Sequence, residues 1–179
     1  KDAPTSVLLE NVLSLIHQKL PKNSASLVEC FVAKFYGNMA STDLHDRNDS
    51  DLYGAALSLW NALNQRTSTE PYIRVYNPEL TRHGWQSPHT IVEIILQDSP
   101  FLVDSIMGEI TVQGLNALAL FHPIVACQRD VDGKRGQAGL ETHESYVWVH
   151  LDPMDAGRRN SLLDGIEATL ADVGAAVAD

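Results

Sequence analysis

Two seven-residue runs constrain this chain more than anything else in it: Thr90-Ile-Val-Glu-Ile-Ile-Leu96 and Ser145-Tyr-Val-Trp-Val-His-Leu151. Ile91, Ile94 and Ile95 branch at Cβ, which crowds the preceding turn of a helix and suits a pleated strand. Both runs therefore read as strands. Between them the spacing changes. Phe101–Gln113 places Leu102, Ile106 and Ile110 on one helical face, and Gly114 provides its C-terminal stop. Leu115–Arg129 is a further apolar run, broken by Pro123. A proline has no N–H for a ladder, so this run belongs at an edge or carries a bulge. After Pro153 a last helix, capped by Asp155, runs alanine-rich towards Asp179.

From Thr90 the order is strand, helix, strand, strand, helix. That is a ferredoxin-like βαββαβ unit short of its final strand, an α+β arrangement with helices on one face of a mainly antiparallel sheet. The final strand has two candidate sources: chain beyond residue 179, or the β-rich run Tyr72–Tyr76 at the sheet edge.

Residues 1–66 read as a helical segment, and 72–179 as the sheet-bearing domain. Leu8, Val12, Leu15 and Ile16 line one helix, which Pro21 stops. Ser26 and Glu29 have capping-box spacing, so a second helix is expected to start near Ser24–Ser26, with Val28, Phe31, Phe35 and Met39 inward. Asp49 or Ser50 is expected to cap a third helix carrying Leu52, Ala56, Leu59 and Leu63. Ser41–Ser50, Thr67–Pro71, residues 79–88 and Asp130–Gly139 read as loops and breaks.

At 179 residues and 44% apolar content the chain can bury roughly 70% of its unfolded surface without staples. Its net charge of −10 disfavours nucleic acid and anionic membrane. The two cysteines, Cys30 and Cys127, read as reduced core thiols of a cytoplasmic protein. No run of 18 apolar residues and no basic-then-apolar leader occurs. The start at Lys1 rather than Met suggests a processed or excised piece.

Catalytic signatures are missing. There is no H-x-x-x-H, C-x-x-C, G-x-S-x-G, G-x-G-x-x-G or P-loop, so we expect no catalytic residue and no metal site. One constellation stands out: Asp98-Ser99-Pro100-Phe101-Leu102-Val103-Asp104, joining a strand to a helix N-terminus. Free N–H groups there suit a carboxylate ligand. The plainer alternative is that Asp98 or Ser99 caps the helix while Phe101 and Leu102 anchor it.

Several blocks, in order, resemble one family. They are Asp51-Leu-Tyr-Gly-Ala-Ala-Leu-Ser-Leu-Trp60, Ile73-Arg-Val-Tyr-Asn-Pro78, His83-Gly-Trp-Gln-Ser87, His89-Thr-Ile-Val-Glu93, Pro100-Phe-Leu-Val-Asp-Ser105 and His122-Pro123. Together they are similar to the N-terminal region of the large NAD-specific glutamate dehydrogenases of bacteria. The resemblance implies that this segment is the first of several ACT-like domains, far upstream of the dehydrogenase core. It implies a non-catalytic regulatory or assembly role, with NAD as cofactor of the parent enzyme but none in this segment. Its partners would be the rest of the same polypeptide, other subunits of a homo-oligomer, and an amino-acid effector. The effector loop would be Asp98, Ser99, Pro100, Phe101, Leu102 and Asp104. The usual loop has Gly after the proline and this chain has Phe101, whose side chain is expected to occupy ligand space. A purely structural oligomerisation or inter-domain module is the alternative. A stand-alone enzyme using His and Asp side chains of residues 83–104 is a third.

Overall fold

The computed structural model describes residues 3–37, 47–66, 70–136 and 140–178. Met39 of the expected second helix face, most of the Ser41–Ser50 loop, residues 67–69 and the end of the Asp130–Gly139 connection lie outside the described residues. Two compact units emerge: 1–64 with 79–87, and 65–78 with 88–179.

The described residues of the first unit include the helices α1 (Ala3–Lys19), α2 (Lys22–Gly37) and α3 (Asp49–Gln65). Val12 and Ile16 are buried on α1, and Val28, Phe31, Val32, Phe35 and Tyr36 on α2. Leu52, Ala56, Leu59 and Leu63 are buried on α3, as the periodicity predicts. Rings tie α2 to α3: Phe31 lies 5.5 Å from Trp60, and the Tyr36 hydroxyl donates to the Leu52 carbonyl at 2.7 Å.

Two helix starts differ from expectation. α2 begins a turn early because the Pro21 carbonyl accepts from the N–H groups of Ser24 and Ala25, which leaves Ser26 inside the helix with no capping box. The side chain at the start of α3 is Asn48, whose Oδ1 accepts from the Asp51 N–H at 2.7 Å while its Nδ2 donates back to Asp51. Residues 79–88 also hold a short helix, α4 (Leu80–His83), closed by Gly84 at φ 76°.

Two of the resembling sequence blocks meet inside this unit. A Cβ on Gly54 would stand 2.6 Å from the Trp85 Cβ and 2.7 Å from the Gly84 carbonyl oxygen, so only glycine lets α3 and this loop approach so closely. Asp51 accepts from the Gln86 N–H at 3.2 Å. Trp85, in an apparently open loop by sequence, is buried.

The second unit holds the sheet: β1 (Tyr72–Tyr76), β2 (Thr90–Gln97), β3 (Ala117–Phe121), β4 (Ile124–Arg129), β5 (Arg135–Gly136) and β6 (Leu140–Leu151). Its order is β1-β2-β6-β4-β5, with β3 beside the far end of β6, and every pairing is antiparallel. β3 and β4 are one long strand interrupted at His122-Pro123, running against all of β6. Of the two sources for the edge strand, β1 pairs with β2, from Tyr72 opposite Ile95 to Tyr76 opposite Ile91.

α5 (Leu102–Val112) and α6 (Ala156–Ala178) cover one face of the sheet. The hydrophobic core there takes Val92, Ile94, Val147, Val149 and Leu151 from the strands and Leu102, Ile106, Ile110, Leu162, Ile166 and Leu170 from the helices. Gly114, at φ 70°, closes α5, and Asp155 caps α6 by accepting from the Arg158 N–H, both as expected. The mixed α+β fold with an antiparallel sheet is the one the strand-helix order indicates.

Candidate functional site

The Asp98–Asp104 segment begins where β2 runs out. The Asp98 N–H donates to the His143 carbonyl at 2.8 Å, a last rung beyond the strand. Pro100 turns the chain, and Phe101 takes the left-handed conformation, φ 63° and ψ 7°, before α5 starts at Leu102. Phe101 is the one non-glycine residue with positive φ among the described residues. That conformation costs a residue with a Cβ about 1–2 kcal/mol, and it is what a glycine at this position would adopt freely.

A groove of about 780 Å³ opens beside this turn. Asp98, Ser99 and Leu102 line one side, the Arg66, Glu70 and Pro71 segment another, and Glu167, Leu170 and Val177 of α6 a third, over Ile73 and Leu96 of the sheet. Pro100, Phe101 and Asp104 do not line it. This corrects one expectation: the Phe101 ring is 75% exposed and does not fill the ligand space, because the left-handed backbone turns it outward.

The capping alternative is also corrected. No side chain caps α5, whose N-cap is Phe101 itself. Asp98 is instead held by the sheet, its Oδ1 accepting from the Ser145 hydroxyl at 2.7 Å. Ser145 is fully buried, and its Oγ lies 3.0 Å from His122 Nε2. Since the single hydroxyl proton points at Asp98, the imidazole must be the donor to Oγ. Burial pushes the His122 pKa below the ordinary value, and the Asp98 carboxylate opposes that shift.

The opposite face of the sheet holds a buried ionic cluster. Glu144 Oε1 accepts from Arg66 at 2.5 Å and from Arg129 Nε at 2.6 Å, and Oε2 accepts from Arg129 at 2.9 Å. Arg129 also donates to the Arg66 and Gly133 carbonyls, and Arg66 Nε to the Glu70 carbonyl. Burial alone would raise the Glu144 pKa. Hydrogen bonding from Arg129 and the charges of both guanidiniums outweigh it and hold the group below its usual value. Arg66 thus lines the groove while its Nε bonds the Glu70 carbonyl and its Nη1 bonds Glu144. The groove's remaining charged side chains, Glu70, Asp98 and Glu167, are all acidic.

Glu93, on the same face as this cluster, is 1% exposed. Its Oε1 accepts from the Tyr76 hydroxyl at 2.5 Å, and Arg74 approaches to only 4.0 Å. Desolvation dominates, pushing its pKa up to about 7 against the lowering effects of Tyr76 and Arg74. Sequence reasoning passed over Glu93, Glu144, Ser145 and His122 as site residues. Glu93 alone had a visible signal, a carboxylate in the middle of an apolar strand. Three other histidines have local roles: His83 Nδ1 accepts from the Glu79 N–H, and His89 and His150 stack edge to face at 5.7 Å. Among the described residues no group of three side chains is arranged to hold a metal ion, and no helix is long and apolar enough to cross a membrane.

Comparison with known proteins adds the family. A family model described as the glutamate dehydrogenase ACT1 domain matches residues 31–166. The NAD-specific glutamate dehydrogenase of Halomonas elongata is 33% identical over 173 residues, covering 93% of this chain and 10% of that protein. The NAD-specific glutamate dehydrogenase of Pseudomonas aeruginosa is 33% identical over 170 residues, covering 90% and 10%. The chain therefore spans about a tenth of the length of these relatives. No solved structure matches it.

Proposed function

Because the chain belongs to the glutamate dehydrogenase ACT1 domain family, we propose that it is a non-catalytic regulatory segment of an NAD-specific glutamate dehydrogenase. The observation that carries this reading is coverage. The match runs through nearly the whole chain yet takes in only a tenth of each relative, leaving room elsewhere for a dehydrogenase core. The parent enzyme would convert L-glutamate, NAD and water to 2-oxoglutarate, ammonium and NADH in the cytoplasm. The segment would act through its contacts with the rest of the polypeptide and with sister subunits of a homo-oligomer.

The groove supports effector binding over a purely structural role. Its apolar floor of Ile73 and Leu96 and its acidic wall of Asp98 and Glu167 suit the apolar side chain and the ammonium of an amino acid, with Arg66, among the described residues, the one lining cation to face its carboxylate. The chemistry nearest to catalysis, Asp98–Ser145–His122, does not activate a nucleophile, because the serine proton points at the carboxylate rather than the imidazole. Two measurements test the reading. Glutamate-dependent NADH formation by the isolated 179-residue chain should be undetectable, and sustained turnover would overturn the proposal. Calorimetric titration with a panel of L-amino acids should show saturable binding that Asp98→Ala removes. Absence of binding across the panel would favour the structural module instead.

A further inference from the structure

Resting on the reading of the groove as an effector site, we infer that Asp98 is its cation-reading group, that Ser145 and His122 are its positioning residues, and that ligand and proton compete there.

The geometry assigns the roles. Among the described residues Asp98 is the one groove carboxylate hydrogen-bonded to a fully buried side chain, at 2.7 Å to Ser145. Its backbone is pinned as well, through the His143 carbonyl. One carboxylate oxygen is thereby spent on the sheet, which fixes the plane of the group and leaves Oδ2 for a ligand. A carboxylate held this way pays little rotamer entropy on binding an ammonium. Glu70 and Glu167 also line the groove, but among the described residues neither carboxylate is hydrogen-bonded to a buried side chain.

His122 sits at the break between β3 and β4 and reaches Asp98 through the Ser145 hydroxyl. With Ser145 donating to Asp98, neutral His122 must carry its proton on Nε2, and protonation adds a charge without disturbing a single hydrogen bond. A proton on His122 therefore places a positive charge behind the carboxylate that reads the ligand's ammonium. By linkage, each weakens the binding of the other. The other charged and titratable groups on the surrounding elements do not duplicate this. On β6, His143 is exposed and among the described residues makes no side-chain bond to Ser145 or Asp98, and Glu144 turns to the opposite face into the Arg66 and Arg129 cluster. On α5, Glu109 is bonded to Gln113, and Asp104 lies outside the groove. Glu167 on α6 and Glu70 before β1 face the groove without a bond to the Ser145 relay.

The test uses 3-methylbutylammonium and L-leucine as probes, titrated calorimetrically into the 179-residue chain at about pH 8 and about pH 5. Binding should be roughly tenfold weaker at the lower pH. His122→Gln, which keeps an N–H donor but no titratable charge, should bind equally at both. Asp98→Asn should bind neither probe. In parallel, nitrogen-15 spectra of the histidines should show His122 as the Nε2–H tautomer, losing that preference in Ser145→Ala. A pH dependence that persists in His122→Gln, or binding that survives Asp98→Asn, would overturn this inference and leave the effector reading standing. If neither probe binds at either pH while the Nε2–H tautomer is present, the effector reading fails and the inference with it.

Discussion

The two faces of the same sheet are held by different physics. On the face under α5 and α6 the centre of the core is aliphatic, Val92, Ile94, Val147, Val149 and Leu151, with the buried hydroxyls of Thr90 and Ser145 at the strand ends. On the other face, alternate residues of the same two strands are Ile91, Glu93 and Ile95, then Glu144, Tyr146, Trp148 and His150, and all are buried. Burial is as complete on one as on the other. What differs is whether it is uniformly favourable or depends on partners, because an aliphatic group gains from leaving water and a charge loses unless it is paired. The aliphatic centre of the first face should respond to changes of volume. The second should respond to charge and to pH.

The largest effect should come from breaking the ionic cluster. Glu144→Ala leaves two buried guanidiniums facing each other without their shared carboxylate, and should cost roughly 3–5 kcal/mol by chemical denaturation. A loss below 1 kcal/mol would show that water reaches the cluster. On the aliphatic face, Ile94→Ala should cost about 3 kcal/mol through lost transfer energy and a residual cavity, and the loss should be the same at pH 5 and pH 8.

Glu93 turns the contrast into a pH profile. Its folded pKa of about 7 lies above the unfolded value of 4.5, so the folded state binds the proton more tightly. Its contribution is fully present below the unfolded pKa and is lost as pH rises towards and through 7, by roughly 3 kcal/mol in all. Glu93→Gln should therefore stabilise the protein at pH 8 and leave it unchanged near pH 4; a gain independent of pH would refute the assignment. The smallest effect expected is at the turn. Phe101→Gly relieves a left-handed backbone while losing a ring that is already mostly in solvent, and should raise stability by at most about 1 kcal/mol. A net loss would mean that the exposed ring packs against something the loop needs.

These comparisons also mark what could be read in advance. Asp155 capping α6 and Gly114 closing α5 were legible because a cap acts within one turn of its own residue. The start of α3 was placed within two residues, yet the wrong side chain was chosen, since Asn48, Asp49 and Ser50 are all competent caps and only backbone geometry selects one. At the candidate site, the loop 98–104 was located but its working parts were not. Ser145 lies 47 positions from Asp98, and no local pattern pairs them. Phe101 was assigned to the ligand space by its size, and a single backbone angle took it out.

By itself the sequence determined the elements and their class, because periodicity, turn chemistry and capping are short-range properties of neighbouring residues. It also carried the family, through blocks such as 51–60 and 83–87, which the structure brings together at Gly54 and Trp85. Only the tertiary structure decided that β1 takes the edge of β2, that Glu144 joins Arg66 to Arg129, and that a buried serine ties Asp98 to His122. Each of these is a long-range pairing of groups that are individually common. What makes such a pairing specific is the exclusion of water around it, and that exists only once the sheet has formed.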